Sequence, residues 1–351
     1  MEHLSHFGLS RDPFANDSLV SLFFEDEALI NAERRLLRGA SQGKGLCLVT
    51  GCGGSGKTML VRHLLESLDE EAYEPVLLIP MPGVSDGPWI FDRFARQLGV
   101  EEPAEERSTL LGQLYEQLAI VREDGRRAVL IIDEAQVLVD QGLLGELRGL
   151  LNLEYEDRRL LTVILAGLPH LAKEMAESVA LAERVEIRVE IPSLDPESSV
   201  SYLRHRIQGV DGNPAILESG AIDAIVSLAS GNPRRLNILA DNSLFEAYLA
   251  GRTSATVQDV ARAASDLGLS LGEADSESGS DEDASVFDEA VSPATDDLPS
   301  ELGEVIAADT EPPVLRGDPG ETIAILPDLP DQGPPKDEEI DDLFVDLVKE
   351  G

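Results

Sequence analysis

The sequence predicts an α/β domain built on a five-stranded parallel sheet with helices on both faces, then a small all-helical domain, then an acidic tail. Strand and helix patterns alternate over residues 41–192, and the strand patterns stop after Leu194. Strands that are separated by helices along the chain pair in parallel and are covered on both faces. The predicted divisions are 1–40 for an N-terminal arm and first helix, 41–192 for the α/β core, 193–268 for the helical domain and 269–351 for the tail.

Each element follows from the spacing of its apolar residues. Short apolar runs predict five strands, and the last of them alternates apolar and charged residues as an edge strand does. After the last predicted strand, the apolar residues recur at helical spacing. Thr256 with Asp259 forms a capping pair for the last helix. The predicted strands are Leu46–Thr50, Pro75–Ile79, Ala128–Ile132, Leu161–Ala166 and Val185–Ile191. The predicted helices of the helical domain are Ser198–Gln208, Ser219–Ser230, Arg234–Ala250 and Val257–Leu267.

Charge and composition limit the class of protein. The chain has 351 residues, a formal net charge of −39 and 2 Cys, which are too few for a disulfide framework. No apolar run reaches the ~18 residues of a membrane-spanning helix, and no basic N-terminus precedes an apolar run as in a signal peptide. We therefore expect a cytoplasmic protein without an integral membrane segment. Residues 1–270 carry a net charge of −17, which argues against nucleic acid as a partner.

The last part of the chain differs from the rest in composition. Residues 271–351 hold 25 acidic and 3 basic side chains, so this segment buries too little apolar surface to offset its chain entropy. We expect it to be disordered. The apolar residues near its end recur at helical spacing and are Ile340, Leu343, Phe344, Leu347 and Val348. An amphipathic segment over 340–348 is suited to a groove on a protein partner. Incidental apolar residues and docking on the chain's own domain are the alternatives.

A glycine-rich loop follows the first predicted strand and precedes a predicted helix. It fits the pattern G-x-x-x-x-G-K-[ST], whose backbone N–H groups wrap a phosphate and whose helix adds its positive N-terminal end. In this pattern Lys57 reaches the β- and γ-phosphates, and Thr58 ligates Mg²⁺. The sequence therefore predicts a site for ATP and Mg²⁺. Its predicted nucleotide-binding residues in this loop are Gly51, Cys52, Gly53, Gly54, Ser55, Gly56, Lys57, Thr58 and Met59.

A second part of the site follows the third predicted strand. The apolar run Ala128–Ile132 leads directly into Asp133 and Glu134. The carboxyl ends of parallel strands meet at the edge of the sheet where ligands of open α/β folds bind. We expect Asp133 to hold Mg²⁺ through water and Glu134 to orient and deprotonate the attacking water. This pair predicts a hydrolase in which Lys57 and Glu134 are catalytic residues.

Taken together, these motifs resemble those of the AAA+ ATPases, and in particular the general secretion pathway protein A type, which includes ATPases of pilus and exopolysaccharide systems. The resemblance covers roughly residues 3–267 and implies a P-loop NTPase core followed by a helical lid. It is carried by the glycine-rich loop, by Asp133-Glu134-Ala135-Gln136, and by four further motifs. These are His6-Phe7-Gly8-Leu9 with Asp12-Pro13-Phe14, Leu147-Arg148-Gly149-Leu150-Leu151-Asn152-Leu153-Glu154, Ile164-Leu165-Ala166-Gly167-Leu168-Pro169, and Gly231-Asn232-Pro233-Arg234-Arg235-Leu236-Asn237.

The resemblance assigns roles to two arginines. It implies that Arg184, just before the fifth predicted strand, is a catalytic arginine finger that reaches the site of a neighbouring subunit in a ring-type oligomer. A solvated surface arginine is the alternative. It also implies that Arg234 contacts the γ-phosphate from the lid, with Arg235 as the alternative. One position departs from the family pattern, because Leu168 stands where a polar residue usually helps to position the water. This departure bears on the rate of hydrolysis and not on the binding of ATP.

Three functions are compatible with these motifs. The first is an ATPase that drives or switches a protein assembly in an envelope secretion or surface-structure system. The second is a regulator ATPase of the DNA-transposition type, which the −17 charge of residues 1–270 disfavours. The third is a slow, ATP-gated scaffold that acts through its acidic tail, and Leu168 keeps this alternative open.

Overall fold

A computed structural model describes residues 2–15, 20–83, 87–140 and 143–269. The predicted tail over 269–351, with its amphipathic segment 340–348, lies outside these ranges except for Leu269. None of the helices in the described ranges combines the length and the apolar character that a bilayer-spanning segment requires.

Five strands form one parallel sheet, which confirms the predicted fold class. In the described ranges the strands are β1 (Leu46–Gly51), β2 (Tyr73–Leu78), β3 (Arg127–Ile132), β4 (Glu154–Tyr155), β5 (Arg158–Arg159), β6 (Leu161–Gly167) and β7 (Val185–Ile191). The order in the main sheet is β2-β3-β6-β1-β7, so β7 lies at an edge as predicted. The antiparallel pair of β4 and β5 is not among the predicted strands, because strands of two residues have no periodicity to detect.

The helices surround this sheet and then form a separate all-helical region. They are α1 (Glu2–His6), α2 (Glu27–Gln42), α3 (Lys57–Ser67), α4 (Gly87–Gln97), α5 (Arg107–Glu123), α6 (Gln136–Asp140), α7 (Glu146–Leu151), α8 (Pro169–Glu177), α9 (Val179–Ala182), α10 (Pro196–Gln208), α11 (Ser219–Ala229), α12 (Pro233–Leu249) and α13 (Val257–Asp266). The four predicted helices of the helical domain correspond to α10–α13. The predicted capping pair is confirmed, because the Asp259 carboxylate accepts the Thr256 backbone N–H at 2.9 Å.

The strand order brings the ends of β1 and β3 to the same edge of the sheet. β6 lies between them, with Thr50 of β1 opposite Gly167 and Ile132 of β3 opposite Leu165. Because the strands are parallel, the loops that follow them leave from this one edge. Every residue of β1 is buried, so the loop after it starts from a fixed position. The glycine-rich loop and the acidic pair after β3 are therefore neighbours.

The N-terminal arm packs on the helical domain. One apolar cluster fills the space between the sheet and the helices α2 and α3. A second cluster fills the helical domain and includes Leu4, Phe7 and Phe14 of the arm. Arg206 of α10 adds polar contacts to this junction. Its side chain is only 2% exposed, and it donates hydrogen bonds to the carbonyl oxygens of Pro13 and Ala15, both at 2.6 Å.

We expect Arg206→Leu to lower the free energy of unfolding by about 2–5 kcal/mol, because one buried and one partly buried carbonyl oxygen lose a charged donor. Urea denaturation followed by far-UV circular dichroism measures this difference. Arg204→Leu, on the exposed side of the same helix, is the matched control and is expected to change stability by less than about 0.5 kcal/mol. Equal stability of the two variants would contradict a structural role for Arg206.

Candidate nucleotide site

The glycine-rich loop connects the end of β1 to the start of α3. Gly56 immediately precedes α3 with a φ of 98°, and no side chain caps the helix at this residue. The first N–H groups of α3 are therefore available to an anion. The Ser55 hydroxyl oxygen is buried and has no hydrogen-bond partner within the described residues. Uncapped helix N–H groups next to a buried hydroxyl without a partner are typical of a loop that binds phosphate.

Lys57 is held inside this loop. It is 6% exposed, and its ammonium donates hydrogen bonds to the carbonyl oxygens of Gly51 at 2.7 Å and Cys52 at 2.9 Å. Burial lowers the pKa of Lys57, while the nearby carboxylates of Glu134 and Asp133 oppose that shift. The ammonium is thus fixed between its own loop and the acidic pair after β3.

Thr58 and Asp133 place two oxygen groups side by side. Asp133 is 2% exposed, and burial raises the pKa of its carboxyl group. Hydrogen bonds from the Thr58 hydroxyl and the Glu134 backbone N–H, the latter at 3.0 Å, counteract this rise by stabilising the carboxylate. Hydroxyl and carboxylate oxygens are the ligands that Mg²⁺ accepts in proteins. This pair therefore has the chemistry that a magnesium site beside a phosphate requires.

Gln136 connects Glu134 to the end of β6. Its amide nitrogen donates to the Glu134 carboxylate at 2.5 Å, and its amide oxygen accepts the Leu168 backbone N–H at 3.2 Å. The Gln136 side chain is buried at 9% exposure. A side chain at Gly167 would bring its Cβ within 2.9 Å of the Gln136 amide oxygen, so glycine leaves room for this bridge. A polar side chain thus lies beside the Leu168 backbone, and it comes from Gln136 and not from the residue after Gly167.

The helical domain contacts the glycine-rich loop through the start of α12. Asn232 donates from its side-chain nitrogen to the Gly53 carbonyl oxygen at 2.7 Å, and its side-chain oxygen caps α12. The Arg234 backbone N–H lies 3.4 Å from the Gly54 carbonyl oxygen. A Cβ at Gly54 would come within 2.6 Å of the Arg234 Cβ, so the two segments are in close contact. The Arg234 side chain is exposed and lies near enough to Lys57 to lower the pKa of Lys57.

The remaining predicted site residues lie in different surroundings. Met59 is partly buried against the core between the sheet and α3, whereas Cys52 is exposed in the loop. Arg184 is half-buried and donates hydrogen bonds to the Ala180 carbonyl oxygen and the Asn152 side chain, both at 2.9 Å. Within the described residues its side chain forms no hydrogen bond or ion pair with the glycine-rich loop or the acidic pair. The structure therefore does not bring Arg184 to the site of its own chain.

Two polar residues of the site are absent from the predicted list. Gln136 stands two positions after Glu134, and Asn232 is an asparagine before a proline, which is a typical start of a helix. Sequence spacing indicates the helix cap, but it does not indicate that the same amide contacts a loop 179 positions away.

Comparisons with known proteins agree with this geometry. Residues 39–175 match the AAA domain family. Over 261 residues the chain is 31% identical to general secretion pathway protein A of Aeromonas hydrophila, and the match covers 74% of this chain and 47% of that relative. The chain thus spans about half the length of this relative.

Solved structures share the fold. The ORC2 protein of Aeropyrum pernix, in ADPNP and ADP complexes, superimposes with a TM-score of 0.58 at 16% identity, over 73% of this chain and 71% of that one. The ORC1 protein of the same organism, in complex with DNA, gives a TM-score of 0.58 at 18% identity, over 73% and 68%. The fold and the glycine-rich loop thus define a P-loop NTPase domain of the AAA type. The predicted resemblance to the AAA+ ATPases of the general secretion pathway protein A type is confirmed.

We expect Lys57→Ala to weaken ATP binding by about 100-fold or more, because a buried cation at the phosphate position contributes charge-assisted hydrogen bonds of about 1.5–3 kcal/mol each. Titration with a fluorescent ATP analogue in Mg²⁺ measures the dissociation constant. Lys173→Ala, an exposed lysine on α8, is the control and is expected to bind as the wild type does. Unchanged affinity of Lys57→Ala would show that the glycine-rich loop is not the nucleotide site.

Proposed function

We propose that the chain binds ATP with Mg²⁺ at the sheet edge formed by the loops after β1 and β3, and that it hydrolyses the ATP. The observation that carries this proposal is the meeting of Lys57, Thr58, Asp133 and Glu134 at one edge, with the lysine and Asp133 both buried. A buried ammonium is costly unless close partners offset its lost hydration, and a bound phosphate would be one more such partner beside the loop carbonyl oxygens and the two carboxylates.

The residues present suit both ligands. The unpartnered Ser55 hydroxyl and the uncapped start of α3 supply donors for phosphate oxygens. The Thr58 hydroxyl and the Asp133 carboxylate supply oxygens for a divalent cation, the carboxylate through water. Bound Mg²⁺ would neutralise developing negative charge on the phosphate oxygens.

Three side chains would divide the work of hydrolysis. Lys57 would hold the β- and γ-phosphates with its ammonium. Glu134 would orient the attacking water and accept its proton, since a carboxylate at this place is the general base of such sites. Gln136 would act as a positioning residue, because its amide fixes the Glu134 carboxylate relative to the end of β6. This bridge supports turnover despite the apolar Leu168.

We further propose that the chain self-associates in a ring-type oligomer with shared sites. Arg184 would leave its hydrogen bonds to Ala180 and Asn152 and enter the site of a neighbouring subunit. Its partial exposure and its place just before β7 support this role. Arg234, from the lid of the same chain, would contact the γ-phosphate.

We propose the system that such an ATPase serves from the similarity to general secretion pathway protein A. The 31% identity to general secretion pathway protein A supports a link to an envelope secretion or surface-structure system, in which ATP turnover drives or switches a protein assembly. The match covers 47% of that relative, so this link concerns the shared region. The segment 340–348 would recruit a protein partner through its apolar residues.

A regulator that acts on DNA is the second candidate. The structural likeness to the ORC1 protein solved in complex with DNA favours it. The net charge of −17 over residues 1–270 disfavours it, because phosphate contacts need a basic surface. A slow, ATP-gated scaffold is the third candidate and differs from the first in its turnover.

We expect Glu134→Gln to bind ATP with wild-type affinity and to lose about 10²–10⁴-fold in turnover, because the general base is removed while the phosphate contacts remain. Steady-state phosphate release and analogue titration measure the two quantities. Gln136→Ala keeps the carboxylate but not its orientation, and a smaller loss of about tenfold is expected. Wild-type turnover by Glu134→Gln would contradict the proposed base.

We expect Arg184→Ala to bind ATP normally and to lose on the order of 10³-fold in turnover. Mixing it with Lys57→Ala should restore part of the activity, because each variant supplies what the other lacks. Arg188→Ala, an exposed arginine on β7, is the control and is expected to turn over normally. A loss without recovery at any mixing ratio would contradict a site shared between subunits.

A further inference from the structure

A basic cleft lies at the amino-terminal edge of the main sheet, opposite the edge that carries the candidate nucleotide site. It has a volume of about 320 Å³ and is lined by Arg122 of α5, Arg127 at the start of β3, and Arg158 and Arg159 of β5. We call these four residues and the space between them the arginine cleft. The end of α2 and the start of β6 complete its walls. A wider depression of about 680 Å³ shares Arg122, Arg127 and Arg158.

Three of these four guanidinium groups form no ion pair within the described residues. Arg159 is paired with Glu186. Arg122, Arg127 and Arg158 form no ion pair and no side-chain hydrogen bond with any other residue in the described ranges. Guanidinium groups that share a cleft without counter-charges repel one another, so an anion that enters the cleft is favoured. In a chain with a net charge of −39, an unpaired basic cluster of this kind stands out.

The lining indicates an extended ligand with several anionic groups. No carboxylate is among the described residues that line the arginine cleft. The wider depression has Glu123 and Glu156, and Glu123 accepts a hydrogen bond from the Tyr155 hydroxyl at 2.9 Å. The three unpaired arginines lie on three separate elements, α5, β3 and β5, which favours a ligand with several anionic groups over a single small anion. A chain that carries acidic groups at intervals is such a ligand.

We propose that the arginine cleft binds the acidic segment 273–289 of the same chain, with Asp281, Glu282 and Asp283 in the cleft and the residues before them serving as the tether. This segment holds eight acidic and no basic side chains, and it begins four positions after Leu269, the last described residue. The chain from Leu269 to Asp283 spans at most about 50 Å when extended. A six-residue strand, which separates the two edges of the sheet, is about 20 Å long. When extended, the tether is longer than the distance between the two edges of the sheet. The helical domain, against which Leu269 packs, contacts the edge opposite the cleft through Asn232.

The tether also favours the chain's own segment over other polyanions. A segment on a short flexible linker is present at a millimolar effective concentration. A nucleic acid must compete with that concentration. It must also approach residues 1–270, whose net charge is −17. The arginine cleft and the candidate nucleotide site lie at opposite ends of β3, because Arg127 begins this strand and Asp133 follows its last residue. The proposal does not depend on ATP binding or hydrolysis.

Hydrogen–deuterium exchange of the full chain, followed by mass spectrometry, tests this proposal. The cleft variant carries Arg122→Gln, Arg127→Gln and Arg158→Gln, and the segment variant carries Asp281→Asn, Glu282→Gln and Asp283→Asn. A control variant carries Arg93→Gln, Arg204→Gln and Arg262→Gln, three exposed arginines outside the cleft. Exchange of β1 verifies that each variant is folded. Two protein concentrations that differ tenfold separate docking within one chain from docking between copies.

We expect amides of 273–289 to exchange on the order of tenfold more slowly in the wild type and the control variant than in the cleft variant. Peptides over β4 and β5 should lose protection in the segment variant. In 1 M NaCl, where the screening length is about 3 Å, wild-type protection should disappear.

Equal exchange in the wild type and the cleft variant would overturn the proposal. Protection that depends on protein concentration would overturn it in favour of a second copy. A single-stranded oligonucleotide is then added to the wild type and to the segment variant. If it protects β4 and β5 equally in both, the cleft binds nucleic acid and the proposal is overturned.

Discussion

A buried ammonium group beside two carboxylates sets the conditions for the rest of the structure. Lys57 is 6% exposed, so the cost of removing its charge from water must be offset by close partners. Two carbonyl oxygens of its own loop and the charges of Asp133 and Glu134 provide them. These partners meet only if the ends of β1 and β3 lie at one edge with a single strand between them. The strand order β2-β3-β6-β1-β7 satisfies that requirement.

Two side-chain amides extend this arrangement beyond the loop and the acidic pair. Gln136 connects the Glu134 carboxylate to the backbone after β6, and Asn232 connects the glycine-rich loop to the first turn of α12. Because one amide group both caps α12 and contacts the loop, a ligand that moves the loop would also act on the start of that helix. Arg206 fixes the N-terminal arm to the same helical domain. The phosphate position is therefore connected to the helical domain by direct contacts.

The sequence predicts the parts of this structure that depend on local pattern. Strand lengths follow from apolar runs such as Ala128–Ile132. The cap at Thr256 follows from the side chains of Thr256 and Asp259, which are three positions apart, and it needs no tertiary contact. The motifs predict that the glycine-rich loop and the acidic pair meet, but the sequence does not predict which other distant side chains contact them. The position of Gln136 in the sequence does not show whether its amide binds Glu134 or water. Arg206 and its exposed neighbour Arg204 likewise look alike in the sequence, and only the packing of the N-terminal arm buries Arg206. The arginine cleft likewise unites α5, β3 and β5, whose proximity depends on the order of strands in the sheet.

Phosphate release by the wild-type full chain tests the central claim of an ATP-hydrolysing site most directly. The measurement compares Mg²⁺ with excess EDTA and covers a wide range of protein concentrations. The account predicts release that requires Mg²⁺ and that rises more steeply than protein concentration, because the proposed site is completed by a neighbouring subunit. ATP binding in Mg²⁺ with no phosphate released at any concentration would contradict it.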